Sequence, residues 1–219
     1  MTEAEGRVAR RQRRNRDALI AAARDIMTEK GVDAATMLEI AERADVGAGT
    51  VYNYFRSKDD LAIAVLETLM HDLALRIETV TNTFDDPAQV YAYGIRTVLD
   101  TATGDVRWAQ MLHRSEVIAD AMFRRMGPFA IRDLRLASQA GRFEVSNAEL
   151  VWRLTTHALI GASLAITTGQ FPVSAKDQII VRLLCMTGIG ANAAVELANR
   201  PRPPLTPEAQ QTGRAGNRR

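Results

Sequence analysis

Cysteine is almost absent from this 219-residue chain: Cys185 stands alone, which rules out an internal disulfide and a tetrathiolate metal site. Histidine is scarce too, and His71, His113 and His157 sit at no spacing that a metal-binding helix uses. Aromatic residues make up 5%, and no β-branched run bounded by turn residues reads as a strand. No apolar run stands behind the positive charges of the first residues, so a secretory signal is not expected there and a reducing, cytoplasmic location is. Catalytic signatures are missing as well. Gly47-Ala48-Gly49 begins like a dinucleotide loop, but Tyr52 stands where the third glycine belongs and no strand precedes it. There is no nucleophile elbow and no phosphate-binding Walker loop, and Cys185 lies in an apolar stretch rather than an electropositive one. The expectation is a protein that is not an enzyme, with no cofactor and no metal.

What is present is an ordinary soluble balance, 47% hydrophobic and 25% charged, able to bury a core in one or two small domains. The net charge of +2 conceals an uneven distribution. Arg7, Arg10, Arg11, Arg13, Arg14 and Arg16 crowd into ten residues without one acid, while residues 1–60 hold eleven bases and eleven acids. The positive field at this end therefore belongs to a terminal arm, which either touches nucleic acid or is merely solvated.

Apolar residues recur at three- and four-residue steps almost throughout, which predicts an all-α fold of about nine helices. A first helix is expected from Arg14 to Lys30 and a short second one opened by the capping box Thr36-Met37-Leu38-Glu39. Asp45-Val46-Gly47 makes a turn, a third helix covers 48–55, and Ser57-Lys58-Asp59-Asp60 caps a long fourth to about Asn82. Asp86-Pro87 opens a fifth, to about Thr103. Further helices are predicted over 105–116, over 117–140 with a break at Gly127-Pro128, from Asn147 to about Gly169, and from Ser174 to about Asn199. The domain reading is a flexible basic arm at 1–13, a helix-turn-helix unit at 14–56, a helical body at 57–199 and a disordered tail at 200–219, where Pro, Gly, Gln and Arg dominate.

Residues 36–55 have the pattern of a helix-turn-helix, in which a second helix enters the major groove while the first holds it on the backbone. The inward positions Ile40, Ala41, Val46, Val51 and Phe55 are apolar. The outward positions Ala48, Thr50, Tyr52, Asn53 and Tyr54 are small, hydroxylic, amide or aromatic, and none is acidic, as a surface pressed on phosphates requires. An exposed tyrosine pair on a compact helical hairpin is the alternative.

Thr36-Met37-Leu38-Glu39-Ile40-Ala41, the run from Ala44 to Phe55, and then Lys58 and Leu61 resemble the signature of the tetracycline-repressor family over about fifty residues with unbroken spacing. The sequence departs from it at Asp45, where glycine is usual, and at Gly47, where serine is commonest. The resemblance implies that Thr36 and Lys58 hold phosphates, that Thr50, Tyr52 and Asn53 face bases, and that Gly47, Ala48 and Tyr54 complete the DNA surface. Arg13 and Arg14 resemble an arm that some members lay into the minor groove, with plain phosphate attraction as the alternative.

In that family the body is a sensor and dimer domain. Large adaptable side chains in the middle helices, Trp108, Met111, Leu112, Met122, Phe123, Met126 and Trp152, suit a largely apolar small-molecule effector, with Thr156 and His113 to orient it; an ordinary core is the alternative. Small residues crowd the last two helices. Gly161, Ala165, Gly188, Ala191 and Val195 are candidates for a homodimer interface, with intrachain packing as the alternative. A membrane pair is rejected because Arg153, His157 and Arg182 fall inside those stretches. The expected function is a sequence-specific regulator of double-stranded DNA, a homodimeric repressor released from a near-palindromic operator by a small molecule. A helix-turn-helix activator or a ligand-independent regulator is the alternative. A helical scaffold without DNA binding is the third class, against which the arm and the acid-free face argue.

Overall fold

The computed structural model describes residues 3–104 and 115–205, and the described residues contain ten α-helices and no strand. Helix α1 runs Glu3–Lys30. The helix was expected to start only at Arg14, behind a flexible arm. The residues of that arm are mostly Ala, Arg, Gln and Glu, which favour helix, so the arginines ride on its exposed first half and Arg10 Nε donates to the Gly6 carbonyl at 3.0 Å. The second half buries Leu19, Ala23, Ile26 and Met27. It stops at Gly31, whose φ of 85° only glycine adopts without cost.

Helix α2 spans Met37–Arg43, α3 only Ala48–Val51, and α4 Lys58–Thr81. Helix α3 was predicted to reach Phe55. The chain tightens after Val51: Asn53 N–H donates to the Thr50 carbonyl at 3.1 Å and Tyr54 N–H to Val51 at 3.0 Å. These are i→i+3 bonds, natural for Tyr and Asn, which hold a helix weakly. Helix α4 buries Leu61, Val65, Leu69, Leu73 and Ile77 on one face and packs on α1 at its start and on the body helices beyond.

The body continues with α5 (Pro87–Gly104), α6 (Ser115–Arg125), α7 (Gly127–Gln139) and α8 (Ala148–Thr167). The expected break at Gly127-Pro128 separates α6 from α7 completely. A 3-10 turn at Val173–Ala175 leads into α9 (Lys176–Cys185), followed by α10 (Ala191–Ala198). One helix had been expected over 174–199. It is broken at Gly188 because the loop before α8 crosses there: Glu144 N–H donates to the Thr187 carbonyl at 2.8 Å. A Cβ on Gly188, where φ is +88°, would stand 2.6 Å from Glu144 Cβ. The segment after α10 was read as tail, yet residues 200–205 lie on α5. Arg200 pairs with Asp86 at 2.6 Å, and the Tyr93 hydroxyl donates to the Pro203 carbonyl at 2.9 Å.

One buried cluster extends from Leu19 through α4 to Leu197, and each large aliphatic side chain fully buried in it contributes about 1.5–3 kcal/mol. Among the described residues α8 alone is long and apolar enough to cross a membrane. Its buried Trp152, Thr155, Thr156, Leu159 and Ser163 pack on α5, α6 and α7, and Arg153 pairs with Asp120 at 3.1 Å. It is a core helix.

Candidate functional site

The helix-turn-helix is held by local chemistry. Thr36 caps α2: its hydroxyl accepts from Glu39 N–H at 3.3 Å and donates to the Glu39 carboxylate at 2.7 Å, while Thr36 N–H donates back to that carboxylate at 3.1 Å. Lys30 of α1 also bonds the Glu39 carboxylate. Hydrogen bonds from Lys30 first, and Thr36 second, hold this carboxyl down at about 2 against an ordinary 4.5. At the other end of α2, Val46 N–H reaches the Ala41 carbonyl and Asp45 N–H the Glu42 carbonyl at 3.0 and 3.1 Å. This is the paired closure that needs a left-handed residue next to the helix end. Asp45 supplies it at φ 54°, so aspartate does the work of the glycine usual at that turn.

With Ile40, Val51 and Phe55 buried and Arg16 stacked on the Phe55 ring at 5.3 Å, the outward residues are fixed from behind. Gly47, Ala48, Gly49, Tyr52 and Asn53 are exposed, and Thr50 and Tyr54 half-buried. Tyr52 stands 59% exposed, a large ring on which nothing packs. Lys58, half-buried in the first turn of α4, donates from Nζ to the Asp33 carbonyl at 2.6 Å. An ammonium has three donors, so this bond aims the group and leaves two for a phosphate. The Thr36 hydroxyl, in contrast, is already taken up by Glu39. Arg13 and Arg14 are exposed on α1.

The second constellation lies in the body. A cavity of about 40 Å³ is walled by Ile77 of α4, by Tyr91, Ile95 and Val98 of α5, by Met126, by Phe129 and Asp133 of α7, and by Trp152 of α8. Of the residues singled out in the sequence, Met126 and Trp152 line it. Met122 is buried elsewhere in the core, and Phe123 lies under Arg153, whose Cζ is 3.9 Å from the ring centre. Trp108, Met111, Leu112 and His113 lie outside the described residues. Tyr91, Ile95, Phe129 and Asp133 were not anticipated; the one sequence signal was an aspartate at a position of α7 whose neighbours in the helical period, Leu134 and Ala137, are core.

The polar groups here are unusual. The Tyr91 hydroxyl shares a hydrogen bond with Thr155 Oγ1 at 3.1 Å, and burial pushes its pKa up. Trp152 Nε1 and Thr156 Oγ1 are buried with no hydrogen-bond partner. Asp133 is buried, and burial raises its pKa, offset only in part by Arg132, which donates to Asp133 Oδ1 from Nε and Nη2 at 3.0 and 2.9 Å. Buried polar atoms without partners are costly, and they gather around one hole.

Of the candidate interface residues, Gly161, Ala191 and Val195 are exposed and Ala165 is buried. Gly188 is committed to its contact with Glu144. Along α8 the exposed Leu150, Leu154, His157 and Gly161 form one stripe at helical spacing.

A short helix held from behind, carrying an exposed acid-free face and joined by a long helix to a body with a polar-lined cavity, defines a helix-turn-helix regulator. Residues 19–65 match the model of bacterial regulatory proteins of the tetR family, and residues 86–200 that of the tetracyclin repressor-like C-terminal domain. The chain belongs to the tetR family, whose members are transcriptional regulators and not enzymes. A solved structure of RolR in complex with the ligand resorcinol is similar over 90% of this chain and 100% of that one, with a TM-score of 0.81 and 31% identity. The HTH-type transcriptional activator FasR of Mycolicibacterium smegmatis is 27% identical over 114 residues, 52% of this chain and 51% of FasR. The transcriptional repressor KstR of the same organism is 44% identical over 63 residues, 28% of this chain and 29% of KstR. The chain thus matches about half the length of FasR and less of KstR.

Proposed function

We propose that this protein is a homodimeric, cytoplasmic repressor that binds a near-palindromic operator and is released from it by a small, largely apolar effector held in the body cavity. The observation that carries the DNA half is the exposed Tyr52-Asn53 pair on a frame sealed by Ile40, Val51 and Phe55. Asn53 can bond adenine through two hydrogen bonds, Thr50 can meet a thymine methyl, and Tyr52 supplies contact area. Lys58, with Gly47, Ala48 and Tyr54 around it, meets backbone. The arginines of α1 raise affinity on any sequence.

The effector half rests on the cavity and on the likeness to RolR, whose complex holds resorcinol. The dimer is assigned to the α8 stripe together with the exposed face of α10 around Val195. Two such units must place their reading helices about 34 Å apart, one DNA turn. An effector that favours another setting of α4 lowers DNA affinity by population shift, and DNA weakens the effector by the same factor. The test is selection of the purified protein against random duplex DNA at about 150 mM salt, where non-specific binding is weak. A two-fold symmetric site is expected; failure to enrich any site at both this and low salt overturns the DNA reading. FasR, an activator by name, keeps activation as the second reading, distinguished by whether transcription from the selected site rises or falls with the protein.

A further inference from the structure

The cavity and α4 are joined by one arginine. Arg132 gives Nε and Nη2 to Asp133, on the cavity wall, and Nη1 to Glu78 of α4 at 2.5 Å. Its Cζ also lies 5.8 Å from the centre of the Phe129 ring. That ring lines the cavity, and on its other side it meets His71 of α4, centre to centre at 6.2 Å. Both the polar and the apolar linings therefore end on α4 through residues of a single turn of α7.

The lining also defines what fits. All the hydrogen bonds that hold Asp133 among the described residues fall on Oδ1, leaving Oδ2 as a buried acceptor without a donor. A buried acceptor in this state calls for a donor. An anionic ligand would be repelled by Asp133 and Glu78, and a cationic one by Arg132, which already balances the Asp133 charge. A neutral hydroxyl suits the site. The ring walls of Tyr91, Phe129 and Trp152 favour an aromatic body, and the unpartnered Trp152 Nε1 is a donor for a ligand oxygen. The Nε1 atom lies beside Gly127, where a Cβ would stand 3.2 Å away. A space of about 40 Å³ holds only two or three waters on the scale of about 10–15 Å³ each. A ring enters by displacing Met126 and Phe129, and Phe129 bears on α4.

We infer that the cavity takes a small neutral hydroxylated aromatic molecule whose hydroxyl donates to Oδ2 of Asp133, and that Arg132, shared between Asp133 and Glu78, transmits its presence to α4. This rests on the effector reading above and not on the DNA reading. The probes are resorcinol and phenol, compared with 1,3-dimethoxybenzene, which has the ring and oxygens but no donor. Calorimetry on the full-length protein should show the phenols binding at least tenfold tighter than the dimethoxy compound. Asp133→Asn should weaken resorcinol by about 10- to 100-fold, the range for a hydrogen bond to a charged group, and leave the dimethoxy compound unchanged. Equal affinities for the two ring types on the unaltered protein, or no binding of any phenol, overturn the ligand class whether or not an operator has been found.

The transmission is read by amide hydrogen exchange along α4, which needs no operator. Resorcinol should change exchange in residues 58–81 of the unaltered protein. In Arg132→Gln and Glu78→Gln, at saturating resorcinol and with unchanged melting temperature, that change should be lost. Persistence of the α4 response in both variants overturns the arginine's role.

Discussion

The DNA-reading unit and the body treat polar groups in opposite ways. Around α2 and α3 every polar group that fixes the backbone is answered within a few residues: Thr36 with Glu39, Asp45 with Glu42, Ser57 with Asp60. The functional side chains are left outside, in water. In the body the answered groups are at the rim, where Glu67 of α4 accepts Arg124 and Arg125 at 2.7 Å each, and the unanswered ones are inside. A reading head must be rigid before its partner arrives, so its frame is satisfied in advance. A sensor must gain something when its ligand arrives, and unfilled hydrogen-bonding capacity in a low-dielectric hole is such a gain.

The contrast can be broken most strongly at Ile40, fully buried behind the reading helix. Ile40→Ala should cost about 2–5 kcal/mol, seen as a lowered urea midpoint, and abolish operator binding with it. Tyr52→Ala should do the reverse. Operator affinity should fall about 10- to 100-fold, on the scale of a lost base contact, while the melting temperature moves by no more than a degree or two; unchanged affinity removes Tyr52 from the reading surface. Trp152→Phe removes an unpartnered donor from a fully buried position. Its stability change should stay within about 1 kcal/mol, well short of the roughly 3–5 kcal/mol expected when a large ring is removed outright. A large loss would mean that the indole nitrogen is satisfied.

The smallest effect concerns two carboxylates with opposite signs. Glu39 is held at about 2, so its folded form binds fewer protons than the unfolded chain. Its contribution is complete above 4.5 and lost as pH falls toward 2. Asp133 is raised above 3.8 by burial, so its effect runs the other way: stability is greatest with the group protonated and declines as pH rises through the folded value. Urea titrations across acid pH should lose the first slope in Glu39→Gln and the second in Asp133→Asn.

These two regions also differ in how far the sequence could be read. The capping box at Thr36, the left-handed Asp45, the α4 stripe and the break at Gly127-Pro128 are short-range events, decided by neighbours three or four residues away. The break at Gly188 has its cause in Glu144, on another part of the chain, and the cavity is assembled from α4, α5, α7 and α8. No periodicity reports that Tyr91 meets Thr155 or that Asp133 faces a hole. The outward residues of 47–54 are contiguous in the sequence and could be enumerated as one face. On the body side, size and softness pointed to Met126 and Trp152, but also to Met122 and Phe123, which lie off the cavity wall. The helical start of α1 was missed because a run of arginines was taken for a solvated arm, although its side chains favour helix.

One clasp has a consequence for the order in which the molecule assembles. Asp86, in the turn between α4 and α5, accepts Arg142 at 3.0 Å and Arg200 at 2.6 Å, tying together parts of the chain 56 and 114 residues distant. Two arginine hydrogen bonds outweigh its burial and keep the carboxyl ionised. Closing such long loops is entropically late, so the clasp belongs to the final steps of folding. Weakening it with Asp86→Asn should leave the refolding rate nearly unchanged and quicken unfolding, making this turn a latch on the lifetime of the native state.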